Sequence, residues 1–464
     1  MAIKRGRFSG RLGFVAAAAG SAVGLGNIWK FPYETGENGG AAFLLVYLIC
    51  TIIIGLPVML GEIAVGRKSQ MDAYGSYRTL GNRNWGYVGA FGIICGIMIL
   101  SFYNVVAGWA FGYFIQIVFD GLLSEGKGQY GAYFTAYVAD FYDNLIYSLV
   151  FMILTAFIVV RGIKEGIETA SKILMPLLFV ILIALIGYAF TLDNAIEGVK
   201  FYLLPDFSLI SASTIYSALG QAFFSLSLGM GALITYGSYL KKKENLLKAA
   251  AVVTLADVSV AFLAGLLIFP LVFSQGQAPT AGPGLVFVAL PTIFEQMGPF
   301  VGRFVGGSFF LLLCFAALTS TISLLEVPVA YLVDEKKMKR KQVVFGLAAL
   351  VFIIGLPSML SQGAVDLFTR FMYYEGSDKT FLDVISDLFS EVGLVFGGLM
   401  LTLFITFKWK TKRLTRELSL GSPGYAHSAL KYFINLALTV ISPVLLGSIF
   451  IITVLQKFFG IHVF

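Results

Sequence analysis

Eleven long apolar stretches, separated by short polar connections, constrain the fold of this chain more than any other feature. They begin near residues 11, 41, 87, 143, 170, 212, 247, 302, 341, 380 and 427. About 20 apolar residues cross a hydrocarbon layer ~30 Å thick as a helix. Since lipid offers the backbone no hydrogen-bond partners, spanning segments must be helices or closed barrels. Stretches of this length predict an all-α polytopic membrane protein with eleven transmembrane helices.

Composition points the same way. Hydrophobic residues make up 58% of the chain and charged residues 13%, a ratio that a water-exposed surface does not tolerate. The net charge is +7, but the basic residues lie between apolar stretches, so membrane topology explains them and no nucleic-acid partner is expected. Cys50, Cys95 and Cys314 lie inside apolar stretches and are expected to be core residues. His427 and His462 have no ligand spacing with Asp, Glu or Cys, which excludes a metal-hydrolase motif.

The distribution of basic residues predicts the orientation. Most of the 33 Lys and Arg residues fall in alternate connections, on the side that includes the N-terminus. Basic residues resist translocation, so the N-terminus is expected in the cytoplasm and, after an odd number of spans, Phe464 outside the cell. The start of the chain, Lys4 to Ala19, also imitates a secretory signal peptide. The polar residues that follow it and the many later spans favour a first transmembrane helix in the plasma membrane.

The first apolar stretch is interrupted at Gly24-Leu25-Gly26, and the sixth carries the similar Gly229-Met230-Gly231. A glycine costs about 1 kcal/mol in a helix interior relative to alanine. Paired breaks in opposed helices are typical of inverted-topology repeats, although small residues also permit tight helix packing. We predict broken helices 1 and 6 in one transporter domain, residues 1–464. It comprises an inverted 5+5 repeat, residues 11–190 and 212–407, and an additional eleventh helix at 427–458.

The residues at the two breaks offer oxygen atoms. Ser21 and Asn27 flank the first break, and Ser225 and Ser227 precede the second. Small, hard cations such as Na⁺ select carbonyl, hydroxyl and amide oxygens. The half-helix that starts after a break presents N–H groups that favour an anion. The pattern therefore predicts a polar site at membrane depth.

At these residues the chain resembles the neurotransmitter:sodium symporter family. GFVAAAAGSAVGLGNIWKFPYETGEN, from Gly13 to Asn38, is similar to the first-helix signature, and GQAFFSLSLGMGALITYGSY, from Gly220 to Tyr239, to the sixth-helix signature. LTSTISLLE, from Leu318, is similar to the sodium site of the eighth helix. The resemblance covers nearly the whole chain and is strongest to bacterial members that carry several hydrophobic amino acids. It implies sodium-coupled symport by alternating access, with no enzymatic activity.

The resemblance implies two Na⁺ sites. The residues matching the first site are Ala22, Asn27, Ser225 and Asp257, with the carboxylate of the bound substrate completing the shell. The residues matching the second site are Gly20, Val23, Ala316, Thr319 and Ser320.

Asp257 departs from the family pattern, which places a sodium-binding amide at or near this position. Chloride-dependent members bind an anion nearby, and Ala261 offers nothing to hold one. We therefore expect Asp257 to replace chloride and to exchange protons during the return step. Alternatively, its carboxylate faces an unrelated water-filled cavity.

The matching substrate pocket contains Ala22, Leu25, Gly26, Ile99, Tyr103, Phe224, Ser225, Ser227, Met230, Ser323 and Leu324. Monoamine-carrying relatives have an aspartate where this chain has Gly24, so the substrate must bring its own carboxylate. An L-amino acid fits, because its carboxylate suits the N–H groups of Leu25 and Gly26 and the Tyr103 hydroxyl. The apolar remainder of the pocket predicts broad specificity for aliphatic and aromatic side chains, although each apolar residue alone also fits ordinary packing.

Gates on either side are also implied. Tyr103 and Phe224 form the outer lid, and Lys30 takes the outer-gate position, with Asp383 or Asp387 as its acidic partner. On the cytoplasmic side Arg5 and Asp334 match the inner ion pair. Arg5 alternatively serves only as a topology charge.

Other functions fit less well. A channel would show a repeated pore loop, and an enzyme would show a catalytic dyad or a metal motif within the spans. The sequence has neither. A proton-driven amino-acid transporter of the same fold remains the alternative. A monomer is expected to suffice for transport.

Overall fold

The computed structural model describes residues 6–122, 128–274, 276 and 284–461. Within these ranges the regular secondary structure is helical except for one short hairpin, β1 (Met372–Tyr374) and β2 (Ser377–Lys379), whose strands are antiparallel. Arg5 and His462 lie outside the described residues.

The helices before the second break share the long, apolar character predicted for membrane spans, apart from short connecting helices. They are α1 (Arg11–Ala22), α2 (Gly26–Glu37), α3 (Ala41–Ser69), α4 (Ala73–Leu80), α5 (Gly86–Phe119), α6 (Tyr130–Ala139), α7 (Phe141–Val160), α8 (Ile163–Ala189), α9 (Ala195–Leu203) and α10 (Ala212–Ser225).

The remaining helices follow the same plan. They are α11 (Ala232–Ser238), α12 (Leu246–Ser274), α13 (Leu285–Gln296), α14 (Pro299–Asp334), α15 (Arg340–Leu360), α16 (Asp366–Thr369), α17 (Phe381–Trp409), α18 (Thr411–Ser419) and α19 (Ala429–Phe459). Single 3₁₀ turns occupy Phe207–Leu209 and Pro423–His427.

Each predicted span coincides with a helix or a helix pair. In the described part of the chain, nine helices are long and apolar enough to cross a membrane, and α1 with α2 makes a tenth. The span predicted at residue 212 is the pair α10 and α11, which residues 226–231 separate. The segment Leu285–Gln296 forms α13, an apolar helix shorter than the spans.

The sequence missed several connecting elements. The connection between α5 and α7 contains α6, and the β1–β2 hairpin lies between α16 and α17. These elements are short, and an isolated short helix or two-stranded hairpin is marginal in water. Packing against the helix bundle stabilises them, which a local pattern does not reveal.

The first predicted break is confirmed. Helix α1 ends at Ala22 and α2 begins at Gly26 at an angle of 49°. Val23 between them is extended, with ψ of 109°, although its N–H still bonds to the Ala19 carbonyl at 2.7 Å. The carbonyls that would continue α1 are thereby directed into the bundle.

The second break is longer. Helix α10 ends at Ser225 and α11 begins at Ala232. Between them Ser227, Gly229 and Gly231 have positive φ angles of 54°, 87° and 79°. Glycine takes such angles without steric cost, so the sequence Gly229-Met230-Gly231 permits the chain to leave helical geometry twice within three residues.

A buried carboxylate secures this second break. Glu62 of α3 is 1% exposed, and its Oε1 accepts a hydrogen bond from the Gly229 N–H at 2.7 Å. A backbone N–H released from a helix at membrane depth needs such a partner. An acidic residue inside an apolar span marks a functional position by default, and this signal was available in the sequence.

Gly229→Ala tests how far the fold depends on this geometry. A Cβ at Gly229 would overlap the Leu394 carbonyl, and φ is left-handed. We expect the substitution to lower the melting temperature and to reduce transport by roughly tenfold or more, because strain and overlap add at this residue. Gly220→Ala is the matched control, since a Cβ there meets nothing within 4 Å. If Gly229→Ala and Gly220→Ala have the same melting temperature and the same transport rate, the break does not require glycine at residue 229.

Candidate functional site between the broken helices

A cavity of about 370 Å³ lies between the two breaks. Every predicted substrate residue lines the cavity except Leu25, whose side chain is buried elsewhere. Four other residues line the cavity: Gly24, which the sequence had placed at the substrate position, Ser320 of the predicted second Na⁺ site, and Ser21 and Leu394, which the sequence had not assigned to the pocket.

One end of the cavity is suited to a carboxylate. The Leu25 N–H donates to the Tyr103 hydroxyl at 2.9 Å, and α2 begins one residue later, at Gly26. The hydroxyl keeps its own proton for an acceptor in the cavity. The start of α2 adds the partial positive charge of a helix N-terminus.

The other polar end consists of oxygen atoms. The Ser227 hydroxyl donates to the Ser21 carbonyl at 2.8 Å, the Ser21 hydroxyl donates to the Ser323 hydroxyl at 2.7 Å, and Ser323 donates to the Ser320 carbonyl at 2.9 Å. No charged side chain lines the cavity among the residues that the structure describes. The two ends therefore match the two charged groups of an amino acid.

Gly24 is essential to the shape of this cavity. A Cβ at this position would overlap the Ser320 hydroxyl and approach the Tyr103 hydroxyl to 2.9 Å. A longer side chain, such as aspartate, would fill the space between the two ends. Glycine at this position therefore keeps the space between the two ends open and leaves it without an acidic side chain.

Three of the four residues predicted for the first Na⁺ site, Asn27, Ser225 and Asp257, lie in direct contact. The Asn27 amide donates to the Asp257 carboxylate at 2.7 Å and to the Ser225 hydroxyl at 3.0 Å. Ser225 in turn donates to the same Asp257 oxygen at 2.6 Å. Asp257 is fully buried, and its other oxygen accepts from the Tyr47 hydroxyl at 3.2 Å. Carboxylate, amide and hydroxyl oxygens are the ligands that a hard cation selects.

The residues predicted for the second Na⁺ site also converge. The Thr319 hydroxyl lies 2.9 Å from the Ala316 carbonyl and 3.3 Å from the Val23 carbonyl. Gly20 faces the same threonine, since a Cβ built on it would lie 3.3 Å from the Thr319 Cβ. The Ser320 hydroxyl contacts the Ser21 carbonyl at 3.5 Å. Helix α14 and the end of α1 thus bring a second group of neutral oxygens together.

The outer gate differs from the prediction. Lys30 lies over the Phe224 ring, 5.1 Å from its centroid, and its Nζ is 3.6 Å from the carboxylate of Glu391. Neither Asp383 nor Asp387 is its partner. Phe224 lines both the central cavity and an outer cavity of about 820 Å³ and therefore lies between them.

Both predicted partners of Lys30 have other roles. Asp383 is in the first turn of α17, where its carboxylate accepts from the Thr380 N–H and hydroxyl in a capping box. Asp387 accepts from Lys457 of α19 at 2.8 Å. The prediction was wrong because acidic residues recur along α17, and helix depth, which local sequence does not specify, decides which one faces Lys30.

The inner gate is described only in part, because Arg5 lies outside the described residues. Asp334, the last residue of α14, lines an inner cavity of about 1070 Å³. The Tyr239 hydroxyl donates to the Glu326 carboxylate at 2.7 Å, and Arg340 pairs with Glu326 at 2.5 Å. Sequence reasoning did not single out Glu326 and Arg340, although an acidic residue within α14 was a visible signal.

A family comparison decides what this site belongs to. The model of the sodium:neurotransmitter symporter family matches residues 5–125 and 138–460. The chain belongs to this sodium:neurotransmitter symporter family. It is therefore a multi-pass membrane protein and a sodium-dependent transporter, and it is not an enzyme.

Individual relatives agree. The "uncharacterized sodium-dependent transporter YhdH" of Bacillus subtilis is 41% identical over 417 residues, covering 90% of this chain and 91% of that protein. The "sodium- and chloride-dependent GABA transporter 2" of Homo sapiens is 27% identical over 436 residues, covering 82% and 71%. The crystal structure of MhsT in complex with L-phenylalanine superposes with a TM-score of 0.88 at 44% identity, covering 97% and 99%. The broken-helix fold is thus shared with this solved structure.

Thr319→Ala tests the second sodium site. Loss of the hydroxyl removes one oxygen from the group around Val23 and Ala316, so we expect apparent Na⁺ affinity in transport to fall by roughly tenfold, the equivalent of ~1.4 kcal/mol. Thr321→Ala is the matched control, because its hydroxyl faces away from the site and contacts Thr155 at 2.8 Å. Transport that is unchanged in Thr319→Ala and in Ser225→Ala would favour the proton-driven alternative.

Proposed function

We propose that this protein carries hydrophobic L-amino acids, both aliphatic and aromatic, into the cell together with Na⁺. The supporting observation is the cavity between the two breaks, which has a helix N-terminus at one end, neutral oxygens at the other and no acidic side chain at Gly24. A free amino acid supplies the carboxylate that such a site lacks.

The remaining walls favour an apolar side chain. Ile99, Phe224, Met230, Leu324 and Leu394 line the cavity. A charged side chain would enter this region without a partner and without water, at a cost of several kcal/mol. Methionine is flexible enough to adapt to different shapes, so Met230 supports broad rather than narrow specificity.

Coupling follows from shared ligands. Two Na⁺ ions are proposed, one in each oxygen cluster, and Ala22 and Ser225 belong both to the substrate pocket and to the first ion site. The substrate carboxylate would complete the shell of this ion. Because the ion and the substrate then stabilise each other's binding, each raises the affinity of the site for the other by the same factor.

The solved relative supports the substrate class. MhsT, whose structure matches nearly this whole chain, was solved in complex with L-phenylalanine. Its identity to this chain is well above that of the animal transporters of GABA and taurine among the relatives. An aromatic amino acid is accordingly the first substrate to test.

Asp257 is proposed to take the place of chloride. Its carboxylate is buried among Asn27, Tyr47 and Ser225, beside the first ion site. A fixed negative charge there balances the charge of the ion, and a buried carboxylate of this kind is expensive unless a cation or a proton accompanies it. Proton exchange during the return step follows from the same requirement.

Transport requires access from both sides. Lys30 of α2 lines the outer cavity and Gly6, which precedes α1, lines the inner cavity, so the two cavities adjoin opposite ends of the first broken helix. Phe224 lies at the outer boundary of the central cavity. We propose that the repeats at 11–190 and 212–407 open one side at a time, with the N-terminus in the cytoplasm, the C-terminus outside and a monomer as the working unit. The helix at 427–458 lies outside the two repeats.

Uptake into proteoliposomes tests the proposal. We expect uptake of labelled phenylalanine, leucine and tryptophan when the external buffer contains Na⁺, and background uptake when K⁺ replaces it. GABA, which has no α-ammonium group, should not compete. Uptake that persists without Na⁺ but follows a proton gradient would establish the proton-driven alternative.

Chloride replacement tests the role of Asp257. Because the carboxylate supplies the negative charge, uptake by the native chain should be the same in chloride and in gluconate. Asp257→Ser should lose most uptake in gluconate and regain part of it in chloride, since a small polar residue leaves room for the anion. A chloride requirement in the native chain would contradict the assignment.

A further inference from the structure

The last helix forms one wall of the outer cavity. Helix α19 contributes Ile449, Thr453, Gln456 and Lys457 to the lining, opposite Lys30 and Phe224. This helix lies outside the two proposed repeats, so the repeat architecture alone assigns it no role in gating.

Lys457 contacts two acidic residues of α17. Its Nζ lies 2.8 Å from Asp387 and 3.0 Å from Glu391. These acidic residues are four positions apart, which places both carboxylates on one face of the helix. A single lysine from α19 thereby contacts both carboxylates.

Glu391 is shared between two lysines. One carboxylate oxygen faces Lys457 at 3.0 Å, and the other faces Lys30 at 3.6 Å. The shorter of these contacts is to Lys457. The two acids and two lysines have no net formal charge together, whereas Lys30 alone would leave one carboxylate uncompensated.

The cluster is only partly accessible to water. The exposed fraction of the side chain is 15% for Lys457, 13% for Asp387, 17% for Lys30 and 32% for Glu391. Fully exposed ion pairs contribute little, but removing one partner of a shielded pair leaves a charge without compensation. Loss of Lys457 is therefore expected to displace Glu391 more than loss of one partner of an exposed surface pair would.

Two further contacts connect α19 to α10 and to the β1–β2 hairpin. The Tyr216 hydroxyl of α10 lies 2.6 Å from that of Thr453, so α19 also contacts the first half of a broken helix. Tyr374 of the hairpin donates to Asp387 at 2.6 Å and packs on the Phe458 ring, 5.6 Å between centroids. Partial burial and the Asp387 carboxylate raise the pKa of the Tyr374 hydroxyl, which stays protonated and able to donate.

We propose that Lys457 is a positioning residue of the outer gate. It holds Glu391 where Lys30 can reach it, and Lys30 then lies over Phe224 and closes the central cavity. The last helix is consequently part of the gate and not only a membrane anchor. The inference rests on the proposed function, since it assumes that the outer cavity is the substrate's entry route.

Thiol labelling of a cavity residue tests the inference. The three native cysteines are buried, so a Ser217→Cys reporter in the outer cavity is the reactive thiol. Labelling by a membrane-impermeant reagent is measured in the full-length protein, in Na⁺ with and without phenylalanine. Phenylalanine should slow labelling of the reporter protein, and adding Lys457→Met should abolish most of this protection, with labelling roughly tenfold faster at saturating phenylalanine, as expected for loss of a shielded pair.

The controls separate gating from folding. Lys457→Arg keeps the charge and should restore protection. Lys431 lies at the opposite end of the same helix and donates to the Ala426 carbonyl. Adding Lys431→Met to the reporter protein should leave its labelling unchanged. A structural role alone would lower the melting temperature of Lys457→Met without changing the protection.

Protection by phenylalanine that is the same with Lys457→Met as with the reporter protein would overturn the inference. If the reporter protein itself shows no protection by phenylalanine, leucine or tryptophan, the proposed substrate class fails instead. The role of Lys457 is then decided by labelling in Na⁺ alone, where Lys457→Met should still label faster and an equal rate would refute it.

Discussion

Unpaired backbone groups at membrane depth are the constraint on which this structure depends. Each break releases N–H and C=O groups where lipid offers no partner, so other elements must supply one. Glu62 binds the Gly229 N–H, Tyr103 accepts from the Leu25 N–H, and Gln221 donates to the Gly26 carbonyl at 2.7 Å. The carbonyls of Val23 and Ser21 face hydroxyl groups of Thr319 and Ser227. The oxygens and N–H groups that stabilise the breaks are also those that a cation and a zwitterion need.

Because these backbone groups supply partial charges, the pocket functions without a charged side chain among the residues that the structure describes. The helix N-terminus at Gly26 favours an anion and the exposed carbonyls favour cations, so fixed charges are needed only outside the cavity. Asp257 and the Lys30–Glu391 pair both lie outside the cavity lining. Asp257 contacts Asn27 and Ser225 in the proposed first ion site, and Lys30 lies over the Phe224 ring.

The sequence predicted the part of the site that local chemistry encodes. Glycine pairs, hydroxyl residues and the resemblance at Gly13–Asn38 and Gly220–Tyr239 were sufficient to place the breaks and most of the pocket. The partner of Lys30 was missed, because the depth of α17 is set by its packing against α3, α5 and α19. Lys457 was missed for a related reason: a lysine near the end of an apolar helix usually extends to the membrane surface, and only the fold shows that two carboxylates receive it.

Joint binding of ion and substrate is the core of this account, and equilibrium binding measures it directly. Phenylalanine affinity is determined on the purified chain at increasing Na⁺, with K⁺ keeping ionic strength constant, and Na⁺ affinity is determined with and without phenylalanine. The account predicts that phenylalanine affinity rises with Na⁺ and that phenylalanine raises Na⁺ affinity by the same factor. Phenylalanine binding that is independent of Na⁺ would contradict it.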